Sequence, residues 1–243
     1  MNKKRMIFTV IISMCIIVIT VVYNVYGNTL IDIRNETSIS DNFATSPSQP
    51  INILATAQLD DYFGVLYSDP VDANEGCYHF KYITKAKFYK NKYHNIGGSG
   101  TSINETEIMY DILNARDKNN KTVNVFLYTF NSTLFENNKC SVFEYCSDGY
   151  EMDYSKITDE KQIVEKMQKL ADSYKKIDEF ELPNEKIFII PKTYELSSAN
   201  NQISFINGSV SIEDLKEQTM NEANLIVKEY RDYLKEAKQW KRY

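Results

Sequence analysis

The stretch MIFTVIISMCIIVITVVYNVY, residues 6–26, decides how this 243-residue chain is organised. It carries no charge and is mostly apolar, and no second run of this kind comes after it. As an α-helix rising about 1.5 Å per residue it would be about 31 Å long, which matches a bilayer hydrocarbon core of about 30 Å. The sequence therefore predicts a single transmembrane helix at residues 6–26.

The charges on either side of this run predict its orientation. Residues 3–5 are all basic, whereas the segment after the run has one cation, Arg34, set among Asp32, Glu36 and Asp41. Cytoplasmic flanks of membrane spans are enriched in Lys and Arg. We therefore expect residues 1–5 to form a cytoplasmic tail and the rest of the chain to lie outside the cell membrane.

A cleaved signal peptide is the alternative to a retained signal-anchor. The uncharged run, residues 6–27, is 22 residues long, whereas the apolar core of a signal peptide has about 7–15 residues. Its length favours retention. Val25 and Gly27 nevertheless fit the positions before a cleavage site, so secretion after a cut near Gly27 stays open.

The composition of the exported part limits the classes of partner. Without residues 3–5 it has 25 basic against 33 acidic residues. Nucleic-acid-binding surfaces normally carry an excess of basic residues, so we expect no nucleic-acid partner. Aromatic residues make up 13% of the chain, with 18 Tyr and 12 Phe. This composition is typical of a folded globular domain.

The exported part contains three cysteines, Cys77, Cys140 and Cys146. Residues 140–146 are predicted to form a strand, which would hold the last two sulfurs about 20 Å apart. A disulfide needs Cα atoms within about 7 Å, so these two would not pair with each other. The sequence leaves open whether Cys77 pairs with one of them or all three are free.

Residues 27–50 are rich in Ser, Thr, Asn and Pro and predict a flexible linker. We expect residues 51–243 to form one domain, with a β-rich half at 51–150 and a helix-rich half at 151–243 as the alternative division. A short helix is expected at 51–61. Strands are predicted from short or alternating apolar runs at 62–68, 80–88, 107–114, 123–130, 140–146, 186–190 and 202–206. The strand at 123–130 is apolar on both faces and is expected to be central, and that at 186–190 is expected to stop at Pro191.

Two helices are predicted in the second half. At 158–177 and 211–241, apolar residues recur every three or four positions. Ser211 and Asp214 have nearly the spacing of a capping box. The sequence therefore indicates an α+β fold, with an antiparallel sheet of five to seven strands and both helices on one face. The far end of the last helix would alternatively present an apolar stripe to a partner.

The one local basic patch suggests a binding site. Its residues lie in or just after the predicted strand 80–88 and are Lys81, Lys85, Lys87, Tyr89, Lys90, Lys92 and Tyr93. Cations between aromatic rings suit an anionic polymer, a lipid headgroup or an acidic protein. The simpler interpretation is a solvent-exposed strand whose lysines prevent edge pairing.

Catalytic, metal and cofactor motifs are scarce. The chain has two histidines, His79 and His94, and neither belongs to a recognisable nucleophile or zinc motif. Cys77 and His79 are too close in sequence for usual zinc spacing. Residues 96–102 are glycine-rich and predict a turn, without the helix that a phosphate loop requires. We expect no metal, no cofactor and no enzymatic activity.

Three functions arise from these features as hypotheses. The first is a membrane-tethered extracytoplasmic binding or accessory protein that acts on an envelope component or a neighbouring membrane protein. The second is a membrane-anchored hydrolase of envelope polymers. The third is a structural protein that assembles through its C-terminal helix.

Overall fold

Four helices and eleven strands are present in the parts of the chain that the structure describes. The structure is a computed structural model, and it describes residues 3–46, 49–70, 77–102, 108–113, 121–130, 138–146, 157, 159–185 and 187–240. At 3–11, 28, 77, 95–102 and 236–240 it describes the backbone alone. The predicted α+β class is confirmed, with antiparallel sheets.

The elements succeed one another along the chain in a mixed order. The helices are α1 (Lys3–Asn28), α2 (Glu36–Phe43), α3 (Glu160–Ser173) and α4 (Ile212–Trp240). The strands are β1 (Ile31–Asp32), β2 (Asn52–Leu59), β3 (Tyr62–Ser68), β4 (Cys77–Lys85), β5 (Lys92–Ser102), β6 (Met109–Leu113), β7 (Thr122–Thr129), β8 (Lys139–Cys146), β9 (Lys175–Glu181), β10 (Phe188–Glu195) and β11 (Asn201–Asn207).

The chain divides into two compact units rather than the single domain expected. Unit 1 comprises Met1–Glu105 with Ile187–Pro191, and unit 2 comprises Thr106–Lys186 with Lys192–Tyr243. The strands form three sheets instead of one. Their orders are β1-β5-β4-β3-β2, β10-β7-β6 and β11-β8-β9.

Helix α1 contains the apolar run and extends beyond it at both ends. Large apolar side chains are exposed along its described part, from Ile12 to Tyr26. Four consecutive residues, Ile16 to Ile19, are all exposed, so the apolar surface surrounds the helix. Taking the described residues alone, no helix is long and apolar enough to cross a membrane.

The five-stranded sheet of unit 1 includes a strand where the sequence predicted a turn. The glycine-rich residues 96–102 belong to β5, which pairs antiparallel with β4 along its length. Tyr82 of β4 lies opposite Gly97 and Phe80 lies opposite Ser99. Backbone pairing with a neighbouring strand therefore outweighs the weak strand propensity of glycine here.

Residues 27–50 do not form a flexible linker. They contain β1 and α2, and Asn35 caps α2 by accepting a hydrogen bond from Thr37 N at 3.0 Å. Ile39 and Phe43, one helical turn apart, are buried in the core of unit 1. Two well-spaced apolar residues thus order a segment whose polar composition suggested disorder.

The expected helix at 51–61 is also wrong, because Asn52–Leu59 forms strand β2. It pairs antiparallel with β3 through a tight turn in which Asp60 has a φ of 51°. Aspartate tolerates this left-handed conformation better than most residues. Strand β3, by contrast, has the predicted bounds.

In the β10-β7-β6 sheet, the position of a strand explains the burial of β7 and the presence of a proline in β10. Strand β7 is the middle strand, and its residues from Asn124 to Thr129 are buried, as its two apolar faces predicted. Strand β10 does not stop at Pro191 but continues to Glu195. It is an edge strand, where proline costs no ladder hydrogen bond.

The predicted helix at 158–177 is shorter in the structure. It is capped by Asp159, ends at Ser173 and is succeeded by strand β9. Tyr174 and Ile177 continue the helical spacing in sequence, but Tyr174 has extended backbone and Ile177 lies in β9. Pairing of β9 with β8 provides the hydrogen bonds that replace the helix.

Helix α4 begins with the predicted capping box. Asp214 N donates to Ser211 Oγ at 3.0 Å, and the Ser211 hydroxyl donates to the Asp214 carboxylate at 2.7 Å. The helix packs mainly on α3 rather than on a sheet. Exposed ion pairs join Arg231 to Glu160 and Lys216 to Asp172, and this pairing shows that the two helices run antiparallel.

Candidate functional site

A turn between β4 and β5, residues 85–92, collects most of the predicted binding residues; we name it the basic turn. Two backbone hydrogen bonds close it, from Ala86 N to Lys92 O at 2.8 Å and from Tyr89 N to Ala86 O at 3.3 Å. Asn91 has a φ of 60°, which asparagine adopts more readily than most residues. The backbone of the turn therefore has a defined conformation, which fixes the positions of the Cα atoms from which its side chains project.

The basic turn packs against the last turns of α1. The ring of Tyr89 stacks on Tyr23 with centroids 4.4 Å apart, and the Tyr89 hydroxyl donates to Tyr23 O. The Tyr23 hydroxyl donates to Phe88 O at 3.3 Å. Beside them, the Tyr26 hydroxyl lies 3.0 Å from His94 Nε2. Aromatic and polar contacts thus join two segments that lie far apart in sequence.

Lys92 and Gly27 complete this junction. The Lys92 ammonium donates to Gly27 O at 2.7 Å, one of the carbonyls that a helix end leaves without an internal partner. Gly27 is buried, and a Cβ at this position would lie 2.7 Å from Cε1 of Tyr89. Glycine is therefore the residue that lets α1 and Tyr89 approach this closely.

The outer side of the basic turn is exposed. Phe88 is 80% exposed, the most of any large apolar side chain among the described residues. Lys87 and Lys90 are exposed on either side of it. Lys85 pairs with Asp61 at 3.9 Å. These groups and Tyr89 line a shallow surface depression of about 570 Å³.

Two of the predicted binding residues lie elsewhere. The Lys81 ammonium is half-buried 5.0 Å above the Phe43 ring and 6.0 Å from that of Tyr67. Burial lowers the pKa of Lys81, against the opposing effect of Asp69. Tyr93 is 2% exposed and belongs to the core of unit 1. The structure therefore brings together the predicted residues of the basic turn, Lys85, Lys87, Tyr89, Lys90 and Lys92, but neither Lys81 nor Tyr93.

The partners of the basic turn on α1 were not predicted. Tyr23 and Tyr26 stand out in the sequence only as part of an apolar run, although tyrosines at the end of such a run are a recognised signal for a membrane interface. Gly27 stands out only as a possible cleavage position. The contact of Gly27 with Lys92 spans 65 residues of sequence, and no local pattern encodes a contact of that kind.

Unit 2 contains a buried carboxylate whose partners are all within the fold. Glu144 is 2% exposed and accepts hydrogen bonds from Ser197 N, Ser197 Oγ and Asn201 Nδ2, each at 2.6 Å. Burial would raise the pKa of Glu144, but the hydrogen bonds from Ser197 and Asn201 outweigh it and lower the pKa. This carboxylate is ionised and joins β8 both to the segment before β11 and to the first residue of β11.

A second carboxylate of unit 2, Glu179, is held by several donors. Lys176 Nζ lies 2.5 Å from it, the Ser209 hydroxyl 2.8 Å and Lys139 Nζ 3.3 Å. The hydrogen bond from Lys176 is the main reason that its pKa falls to about 2. Neighbouring Ser141 accepts from Val210 N and donates to Gly208 O, each at 2.9 Å. These groups stabilise the fold.

Cysteines and histidines take no catalytic arrangement among the described residues. Cys140 and Cys146 lie near the two ends of β8 as free thiols, and they do not pair with each other, as their spacing predicted. The side chain of Cys77 lies outside the described residues. Burial raises the pKa of Cys140 to about 12, so its thiol stays protonated. His79 stacks on Tyr67 with centroids 5.2 Å apart.

The described residues show neither a metal-binding group nor a continuous apolar stripe on α4. They contain no group of three or more His, Cys, Asp or Glu residues that would hold a metal ion. On α4, Leu225 and Tyr233 are exposed, but Ile226 and Leu234 pack against the cluster shared with α3. The apolar surface of this helix is therefore interrupted within its described side chains.

No protein-family model, curated protein or solved structure matches this chain.

Proposed function

We propose that this chain is a single-pass membrane protein whose helix α1 is a retained signal-anchor. The α+β part is an extracytoplasmic binding or accessory module, and the basic turn is its contact surface. The observation that carries the proposal is the junction between α1 and the basic turn. An apolar helix and an exposed cationic, aromatic surface meet there at one place.

The membrane part of the proposal rests on α1. The helix has 26 residues, and from Ile12 to Tyr26 its large apolar side chains are exposed on all sides. A helix that is apolar all round needs an apolar environment, which lipid provides. Residues 3–5, the basic first residues of this helix, precede its apolar run, which favours an N-terminus in the cytoplasm.

The contacts that the end of α1 makes with the module favour retention over cleavage. A cut after Gly27 would remove Tyr23 and Tyr26, which contact Tyr89 and His94. It would also remove the carbonyl that Lys92 binds. The folded module uses these groups, so loss of α1 would expose Tyr89 and leave Lys92 without its acceptor.

The binding part of the proposal rests on the contrast between free and engaged groups. The described carboxylates of unit 2 that are most strongly held, Glu144 and Glu179, have their partners within the fold. Lys87, Phe88 and Lys90 instead point outward. Exposed cations beside an exposed ring suit recognition of an anionic surface rather than bond cleavage.

Fractionation combined with protease treatment tests this proposal. The full chain with a C-terminal epitope would be produced in a bacterial host, and its membranes would be washed at alkaline pH. We expect the chain to stay in the membrane fraction and its epitope to be lost when protease is added to spheroplasts. Release by the alkaline wash, or an epitope that resists protease until the membrane is lysed, would contradict it.

A further inference from the structure

We propose that the basic turn rests on the outer surface of the membrane, with Phe88 inserted among the lipids and Lys87 and Lys90 on anionic phospholipid headgroups. This inference rests on the proposed function, since it requires α1 to lie in the membrane. It names the ligand of the surface that the proposed function leaves open. The turn would be a second, lateral attachment that fixes how unit 1 stands on the bilayer.

The depth of the turn is set by its contacts with α1. The Tyr23 hydroxyl donates to Phe88 O, and Tyr89 stacks on the Tyr23 ring. Tyr23 lies one helical turn before Gly27, about 6 Å along the axis. If residues 6–26 fill the hydrocarbon core, the contacts of Phe88 are at the level where that core meets the headgroups.

The residues at this level have the chemistry of a membrane interface. Tyrosine rings are enriched where headgroups meet hydrocarbon, because one end of the side chain is apolar and the other forms hydrogen bonds. Tyr23, Tyr26 and Tyr89 form such a group of rings. Phe88, 80% exposed beside them, is a large apolar side chain that gains from leaving water.

The partners of the other cations identify the lysines that would meet the lipid. Lys85 pairs with Asp61, and Lys92 binds Gly27 O. Lys87 and Lys90, exposed on either side of Phe88, are the remaining cations of the turn. Anionic headgroups attract lysines near the surface of a bilayer.

The acidity of the rest of the exported part makes this surface directional. With 25 basic against 33 acidic residues, that part is repelled by an anionic bilayer as a whole. A local cationic turn with an exposed phenylalanine would be the region that approaches it. Attraction at the turn and repulsion elsewhere together favour one orientation of unit 1.

Tryptophan fluorescence in lipid nanodiscs tests the insertion of Phe88. The chain has one Trp, so Trp240→Phe gives a dark background into which single tryptophans are placed. Phe88→Trp reports on the turn, and Val18→Trp reports on α1. Asn52→Trp is the matched control, because Asn52 is exposed at the first residue of β2. The last residue of β2 lies about 24 Å further along the strand, two residues before Asp61, which pairs with Lys85 of the basic turn.

Quenching by brominated lipids is the measurement. The bromine lies near the headgroup end of the chains for the tryptophans at 88 and 52, and near the chain ends, at the bilayer centre, for that at 18. In bilayers that contain phosphatidylglycerol, we expect blue-shifted, strongly quenched emission from the tryptophan at 88 and water-exposed emission from that at 52. Lys87→Gln and Lys90→Gln, which each remove one positive charge, would each lower the ratio of inserted to free turn about fivefold. Inorganic phosphate added to the solution would leave the emission unchanged.

The tryptophan at 18 separates failure of this inference from failure of the proposed function. If it is not quenched, α1 is not in the bilayer and both fail. If it is quenched while the tryptophan at 88 emits as in water, the anchor stands and the turn inference is overturned. Insertion that is equal with phosphatidylcholine alone would overturn the role given to Lys87 and Lys90.

Discussion

The charged groups of the basic turn in unit 1 are exposed, whereas two carboxylates of unit 2 are held by hydrogen bonds within the fold. In unit 2, Glu144 and Glu179 are surrounded by donors from neighbouring strands and loops. In the basic turn, Lys87 and Lys90 flank an exposed Phe88. The carboxylates therefore stabilise the fold, whereas the exposed lysines are able to bind a partner outside the protein.

The same contrast exists among aromatic residues within unit 1. Phe43 is buried, stacks on Tyr67 with centroids 5.7 Å apart and lies beneath the Lys81 ammonium. Phe88 has the same side chain but is 80% exposed. A phenylalanine that contributes to the core and one that contributes to a contact surface can therefore be compared directly in one unit.

Replacing these two phenylalanines with alanine should separate the two roles most clearly. Phe43→Ala creates a cavity in the core and should lower the free energy of unfolding by about 3–5 kcal/mol. Phe88→Ala removes an exposed ring and should change it by less than about 0.5 kcal/mol in detergent. Hydrogen exchange of the β3 and β4 amides measures both. Equal losses would show that Phe88 is a core residue and end the comparison.

Glu144→Ala should have the next largest effect. It removes a buried carboxylate that accepts three hydrogen bonds, so that Ser197 and Asn201 lose their shared acceptor on β8. We expect a loss of about 1–3 kcal/mol, measured by exchange of the β8 and β11 amides. Glu165→Gln, at an exposed position of α3, is the control and should have little effect. A Glu144 variant as stable as this control would remove the assignment of Glu144 to the fold.

The junction between α1 and the basic turn should respond to smaller changes. Tyr89→Ala removes the stack on Tyr23 and should cost about 1 kcal/mol. Gly27→Val should displace the Tyr89 ring and have a similar effect, because its Cβ would lie within 2.7 Å of that ring. Exchange of the amides at 86–91 in detergent measures both, with Lys87→Ala as the control. Unchanged exchange in both variants would show that α1 and the turn are independent.

The smallest effect concerns pH and the partly exposed carboxylate Glu179. Its folded-state pKa of about 2 lies below the ordinary value of 4.5. Ionised Glu179 therefore stabilises unit 2 above pH 4.5, and this contribution is lost as the pH falls from 4.5 toward 2. Thermal unfolding across this range should be less dependent on pH in Glu179→Gln. Lys176→Met should move the loss toward higher pH, and a profile identical to the wild type would contradict the assignment.

The elements that the sequence predicted well are those whose local pattern agrees with their place in the fold. Strand β3 has its predicted bounds, and β7 is central as its two apolar faces indicated. Ser211 caps α4 as its spacing with Asp214 suggested. In each case the residues that carry the signal are adjacent or within one helical turn.

The elements that were missed depend on distant partners. Strand β2 is held by β3, the glycine-rich part of β5 by β4, and β9 by β8. Helix α2 is ordered by the burial of Ile39 and Phe43 against residues that lie far along the chain. Local composition favoured a helix, a turn or a linker at these places, and pairing or burial outweighed it.

The candidate site likewise has a part that the local sequence indicated and a part that depends on distant contacts. The density of lysine and tyrosine near residues 85–92 identified the turn from sequence. Which of these side chains face outward was not readable, because it depends on the hairpin and on contact with α1. Lys92 binds Gly27 O, whereas Lys87, two positions before Tyr89, stays exposed.

The central claim, that residues 1–27 stay joined to the module that packs on them, is tested most directly by the intact mass of the chain purified from membranes. The account predicts the mass of the whole chain, 28.3 kDa. A mature product that begins at Asn28, lighter by the mass of residues 1–27, would contradict it.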